Sequence, residues 1–196
     1  MTIAEMRACL PPARLCLIAL AVAIIVGLGI TIISPADLLV ENRGLEAAQQ
    51  FLLTFAVIFS LTALSRLLQP IVASMALATL AMGFAMFVRE TPNCMKVTDG
   101  WCVSEPTKLL VTAIVLAALI VWGLRFLRPL WNEKWTILRS IVWWPFPFLA
   151  AFALFSEIAE RNGYYVIEEG SELFAYAFLA TLAAQLAFAN KQHREM

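Results

Sequence analysis

Histidine, charge and long polar stretches are all scarce in this chain. One histidine, His193, occurs in 196 residues, charged residues make up 14% and the formal net charge is zero. A single histidine in a polar tail argues against histidine-based metal sites and against Ser/His or Cys/His catalysis. The balanced charge provides no basic surface, so we expect no nucleic-acid partner.

Apolar residues are abundant instead, at 62% of the chain, where soluble domains have about half. Six segments approach the roughly 20 apolar residues that a spanning helix needs. The predicted spans are 13–33, 47–65, 70–88, 108–127, 140–159 and 171–189. Because a backbone in lipid must satisfy its own hydrogen bonds, each span is predicted to be helical. The predicted fold is all-α: residues 1–196 form a single polytopic domain, a bundle of six transmembrane helices.

The first segment raises the question of a signal peptide. Its apolar run, LCLIALAVAIIVGLGITII, is longer than the apolar core of a signal peptide, which has about 7–15 residues. We therefore expect it to stay in the protein as the first helix.

Basic residues predict the orientation of the bundle. With six spans, one side carries nine Lys and Arg residues and the other side carries five. The positive-inside rule then places both termini in the cytoplasm. Eleven of the fourteen acidic residues fall on the opposite, outer side, a bias that the rule does not require.

Two cysteines lie in the outer loop between the third and fourth spans. Cys94 and Cys102 enclose an Asp-Gly turn signal at residues 99–100. In an oxidising compartment this pair is predicted to form a disulfide. The alternative is two free thiols, whereas a zinc site lacks the four ligands that it needs.

Acidic residues gather at the predicted outer ends of four helices. We call this set the acidic cluster: Glu46, Glu90, Glu157, Glu168, Glu169 and Glu172. Three arginines can serve as its charge partners: Arg43, Arg89 and Arg161. Glu157 and Glu172 are the two members predicted to lie deepest, and ionisable residues inside a span are functional candidates because their burial is costly.

Three interpretations of the acidic cluster stay open. In the first, the acids are solvated or salt-bridged helix ends of a structural or partner-binding membrane subunit. In the second, the carboxylates bind Ca²⁺ or Mg²⁺ or let the cation pass, as in a cation-binding or transport protein. In the third, paired carboxylates and a metal form an intramembrane enzyme that acts on a lipid. No nucleophile motif accompanies the acids, so an enzyme is the least favoured class and no catalytic residue is assigned.

The fifth span contains the stretch WWPFPF, with Pro145 and Pro147. Prolines inside a span would break the helix, as occurs at transporter sites. Alternatively, Trp143 and Trp144 mark the membrane interface and Pro145 belongs to the first turn. We favour the second interpretation because aromatic belts are common.

Three fragments together resemble a known group of proteins. They are ENRGLEAAQQ (41–50), FVRETP (87–92) and VIEEGSELFAY (166–176). An RE pair after a span and an EE-x-x-E entry to a span are similar to those of small multi-span proteins of the bacterial inner membrane, a group with no assigned activity. The resemblance implies a multi-pass protein of the bacterial plasma membrane. We expect the lipid bilayer as its surroundings, and a membrane protein or a second copy of this chain as its partner.

Overall fold

The computed structural model describes residues 12–33, 44–65, 70–92, 94, 102–132 and 143–192. Within these ranges the chain is all-helical. The six helices are α1 (Pro12–Ile33), α2 (Gly44–Ser65), α3 (Pro70–Glu90), α4 (Glu105–Asn132), α5 (Pro145–Arg161) and α6 (Tyr165–Gln192). Five of them, all except α5, are long and apolar enough to cross a membrane. The prediction of an all-α fold is therefore confirmed, and five of the helices have the length and composition that a membrane span needs.

The fifth helix is shorter than its predicted span. It contains 17 residues and begins at Pro145, whereas the prediction began at residue 140. Proline fits the first helical position because it needs no hydrogen-bond partner for its nitrogen there. Pro145 and Pro147 therefore start the helix rather than break it, and residues 140–142 lie outside the described part of the chain.

The turn between α5 and α6 requires a glycine. Gly163 has a φ of +74°, in the left-handed region that other residues avoid. Its N–H donates to the carbonyl of Glu160, and the N–H of Tyr164 donates to the carbonyl of Ala159, both at 2.9 Å. This pair of bonds is the Schellman motif, which closes a helix C-terminus and reverses the chain. The reversal sets α6 antiparallel to α5.

Helix α6 is the centre of the bundle. It packs extensively against α2, α5 and α1 and also contacts α3. Within the described ranges, α3 is the one helix against which α4 packs extensively. Of the spanning stretch of α6, 78% of the residues are buried, against 6% of that of α4. Large apolar side chains are instead exposed along α1 and α4, as expected where lipid replaces water as the solvent.

Small residues and aromatic rings make the close contacts with α6. A Cβ placed on Gly83 of α3 would lie 3.6 Å from atoms of both Ala56 in α2 and Leu179 in α6. The three helices therefore approach closely at this level, as small residues permit in membranes. On the other side of α6, the ring centroids of Phe148 in α5 and Phe178 in α6 are 4.9 Å apart.

Polar contacts show that the start of α2, the end of α3, the start of α4 and the first half of α6 lie at the same end of the bundle. Gln50, near the start of α2, donates to the backbone carbonyl of Glu90 at the end of α3, at 2.8 Å. The hydroxyl of Tyr176 in the first half of α6 reaches the carboxylate of the same Glu90. Lys108, near the start of α4, donates to the carbonyl of Thr91, just after α3. We call this end of the bundle the polar end.

A disulfide at the polar end links the segment after α3 to the segment before α4. The sulfur atoms of Cys94 and Cys102 are at bonding distance, 2.14 Å, so the predicted pairing is confirmed. A backbone hydrogen bond joins the same two segments, since the N–H of Val103 donates to the carbonyl of Pro92 at 2.9 Å. The link therefore holds the end of α3 close to the start of α4.

Candidate functional site at the polar end

Glu172 is the residue on which three helices converge. It lies one to two turns into α6 and is 6% exposed. Its Oε1 atom accepts a hydrogen bond from Nη2 of Arg89 in α3 at 2.5 Å and another from Oγ of Ser156 in α5 at 2.8 Å. The ion pair with Arg89 compensates the buried charge, and the hydroxyl supplies a second donor. Helices α3, α5 and α6 are thereby joined through a single carboxylate oxygen.

Glu90 continues this network on α3. Its Oε1 atom accepts from the hydroxyl of Tyr176 at 2.7 Å and lies 3.7 Å from Nε of Arg89. The guanidinium of Arg89 therefore lies between the two carboxylates of Glu90 and Glu172. Arg89 is one of the predicted charge partners of the acidic cluster, and in the structure it contacts two of its members, Glu90 and Glu172.

Glu169 has a different partner. Its Oε2 atom accepts a hydrogen bond of 2.9 Å from Nε2 of Gln49 in α2. Gln49 is fully buried, and its Oε1 atom finds no donor among the described residues. A buried amide oxygen without a hydrogen bond is costly, on the order of 1–3 kcal/mol. Glu169 and Gln49 therefore form the part of the network where a buried acceptor lacks a partner.

The remaining members of the acidic cluster lie around this centre. Glu157 is exposed and forms an i,i+4 pair with Arg161, at 2.9 Å, so its predicted depth is not found. Glu168 is half-buried in the first turn of α6, and Glu46 lies in the first turn of α2. Arg43, the third predicted charge partner, lies outside the described residues.

No metal cage forms from these acids. Among the residues that the structure describes, no three acidic, histidine or cysteine side chains form a group that could hold a metal ion. Glu90 and Glu172 are occupied by Arg89, Tyr176 and Ser156. The arrangement therefore connects helices through hydrogen bonds and ion pairs, and the hydrogen bond of Glu169 comes from the neutral amide of Gln49.

Two partners of the acids escaped sequence reasoning. Ser156 precedes Glu157 in an apolar helix, and the local sequence favours the charged neighbour, which is exposed in the structure. Tyr176 follows Glu172 by four residues and shares its face of the helix, a spacing that would have indicated a role. Neither sequence position indicates which helix the side chain contacts. The packing of α3 and α5 on α6 determines that.

A cleft opens beside this network. It lies between α3 and α5, with α6 as its floor, and it is partly open to the outside. One end is polar and the rest is apolar. Its lining consists of Met82, Met86, Arg89, Leu149, Phe152, Ala153, Ser156, Glu172, Ala175, Tyr176 and Leu179.

Removal of the Glu172 charge tests the network. We expect Glu172→Gln to lower the free energy of unfolding by about 1–2 kcal/mol, because Arg89 would lose its charged partner at a site where Glu172 is buried. Glu157→Gln is the matched control. Its pair with Arg161 is exposed, so we expect a change within about 0.5 kcal/mol. Thermal unfolding of the detergent-purified protein measures both, and equal effects would contradict the assigned role of Glu172.

Comparisons with known proteins provide no further identification. No family model matches this chain, and neither a curated protein nor a solved structure matches it. The resemblance to small inner-membrane proteins of bacteria therefore stays a prediction, and the functional argument rests on the geometry of the polar end.

Proposed function

We propose that this chain is a six-span protein of a bacterial plasma membrane with both termini in the cytoplasm. Its polar end then faces outward. Five helices have the required length and composition, and α5, at roughly 25 Å, is close to the hydrocarbon thickness. The disulfide at the polar end supports an oxidising surrounding there. The excess of basic residues on the opposite side supports the same orientation.

Reporter fusions test the topology, including the crossing of α5. We expect green fluorescent protein to fluoresce when fused after Asn132 or after Gln192, since both ends are cytoplasmic in this proposal. Alkaline phosphatase should be active when fused after Ser104, at the polar end. Phosphatase activity at Gln192 combined with fluorescence at Asn132 would indicate that α5 and α6 do not cross as a pair.

We infer that the protein functions as a structural or partner-binding membrane subunit. The observation that carries this proposal is that Glu90, Glu169 and Glu172 accept hydrogen bonds from side chains of the bundle itself. The acids therefore hold helices together instead of surrounding an open catalytic centre. A subunit also needs a surface for its partner, and α4 supplies one, because it extends along the side of the bundle and packs on α3.

The outer face of α4 suits contact with another helix. Ala113 and Ala117 are exposed and lie one turn apart, and small residues at this spacing let two helix backbones approach closely in a membrane. Gly123 and Leu119 belong to the other face, which contacts the bundle. The partner, a second membrane chain or another copy of this one, is proposed to pack at Ala113 and Ala117.

Photocrosslinking in intact membranes tests this surface. We expect a photoreactive phenylalanine derivative at Ala117 to give one discrete protein adduct, because a packed partner lies within reach of the side chain. The same residue at Leu17, which is exposed on α1, serves as the control and should give no protein adduct. Only lipid adducts at both positions would contradict the proposal, and the mass of an adduct distinguishes a second copy from another protein.

Cation binding is the second candidate function, favoured by the unpaired amide oxygen of Gln49 beside Glu169. Magnesium keeps several waters and uses one or two carboxylates, so it does not need a three-carboxylate cage. A hydrated Mg²⁺ held by Glu169, with the amide oxygen of Gln49 as a further acceptor, would supply the missing partner. Calcium, which prefers more protein oxygens, fits less well.

Ligand-dependent stability tests this candidate. We expect Mg²⁺ to raise the free energy of unfolding by about 2.7 kcal/mol at a hundredfold excess over its dissociation constant. The rise should disappear in Glu169→Gln and persist in Glu157→Gln, since only the first variant changes the proposed ligand. A rise of the same size in both variants, or none in the wild-type protein, would contradict the proposal.

A further inference from the structure

The cleft between α3 and α5 opens at the side of the bundle. Helices α3 and α5 share no extensive contact along the described residues, although both pack on α6. Helix α6 forms the floor of the gap between them, and the side chains that border the gap are largely apolar. In a membrane, such a gap faces the acyl chains of the surrounding lipid.

The polar end of the cleft carries an accessible cation. Arg89 keeps 44% of its side chain exposed, whereas Glu172 keeps 7%. A guanidinium has five N–H donors in a planar fork, which matches the oxygens of a phosphate. The ion pair with Glu172 engages Nη2, and the nearest atom of Glu90 lies 3.7 Å from Nε, so donors stay available toward the opening.

We propose that this cleft binds one phospholipid from the adjoining leaflet, with its phosphate at Arg89 and one acyl chain along the apolar walls. The chain would lie between Met82 and Met86 of α3 and Leu149 and Phe152 of α5. A polar group at the mouth of an apolar cavity is the usual arrangement of a site for an amphipathic ligand. This inference goes beyond the role of a membrane subunit, because it assigns a ligand to a site distinct from the outer face of α4.

The charges at the polar end favour a zwitterionic headgroup that carries a primary ammonium. Arg89 already lies beside two carboxylates, Glu90 and Glu172. A headgroup with net negative charge would add a further negative group without a cation to balance it. A phosphatidylethanolamine supplies its own ammonium, which can donate to a carboxylate at this end. We therefore expect phosphatidylethanolamine to bind more tightly than phosphatidylglycerol.

Native mass spectrometry of the full chain in detergent tests the proposal. The probes are phosphatidylethanolamine, phosphatidylglycerol and phosphatidylcholine with identical acyl chains. We expect one phosphatidylethanolamine to stay bound per protein chain, with an affinity about tenfold higher than for either other lipid, because a charge-assisted hydrogen bond has about that effect. Equal binding of the three lipids, or a dimer that excludes lipid, would overturn the inference.

Two variants separate the cleft from the rest of the surface. Ala153→Phe adds a ring to the wall of the cleft, leaves both residues of the ion pair unchanged and should reduce phosphatidylethanolamine binding at least tenfold. Ala151→Phe adds the same ring to an exposed position two residues away on α5 and should bind like the wild type. Equal binding by these two variants would place the lipid elsewhere.

A third variant tests the headgroup site. Arg89→Gln/Glu172→Gln replaces the ion pair by two neutral amides, and Glu90 keeps its hydrogen bond from Tyr176. It should abolish the preference for phosphatidylethanolamine while the residual binding of all three lipids becomes equal. Retention of the preference would show that Arg89 does not bind the headgroup.

Discussion

The structure depends on an ion pair whose acid is buried. Glu172 is buried near the start of the central helix, and it is stable there because Arg89 and Ser156 both donate to its carboxylate. This requirement couples three helices, since a shift of α3 or α5 would leave a buried carboxylate without a partner. In lipid, apolar packing by itself distinguishes poorly between helix registers, so a polar contact of this kind defines which arrangement is lowest in free energy.

The composition of each helix follows from how much of it other helices enclose. Helix α6 tolerates Glu169, Glu172 and Tyr176 because most of its length is enclosed by other helices. Helices α1 and α4, which border the bundle, carry large exposed apolar side chains instead. In a soluble protein the outermost helices would be the polar ones, and the reversal is the expected consequence of lipid as the solvent.

The same network creates the features to which we assign function. Because Arg89 is drawn toward Glu172, its guanidinium lies at the mouth of the cleft between α3 and α5 instead of extending freely. The amide nitrogen of Gln49 donates to Glu169, and its amide oxygen has no donor within the described part of the chain. A lipid headgroup and a hydrated cation would therefore bind to groups that helix packing has already positioned, which lowers the entropic cost of binding.

The sequence predicted the all-helical architecture, five helices long and apolar enough to cross a membrane, the Cys94–Cys102 link and the position of several acids near one end. Each of these follows from local chemistry, namely the length of an apolar run, the spacing of residues in a loop or the position of charges along a helix. The sequence did not determine which acids are buried. Glu157 and Glu172 both lie near helix ends, yet one is exposed and the other is covered, since that difference depends on which helix packs against each face. Only the tertiary structure decided that Arg89 belongs to Glu172, that α6 is central and that a cleft is left between α3 and α5. Such contacts join residues more than eighty positions apart, and no pattern within a single helix specifies them.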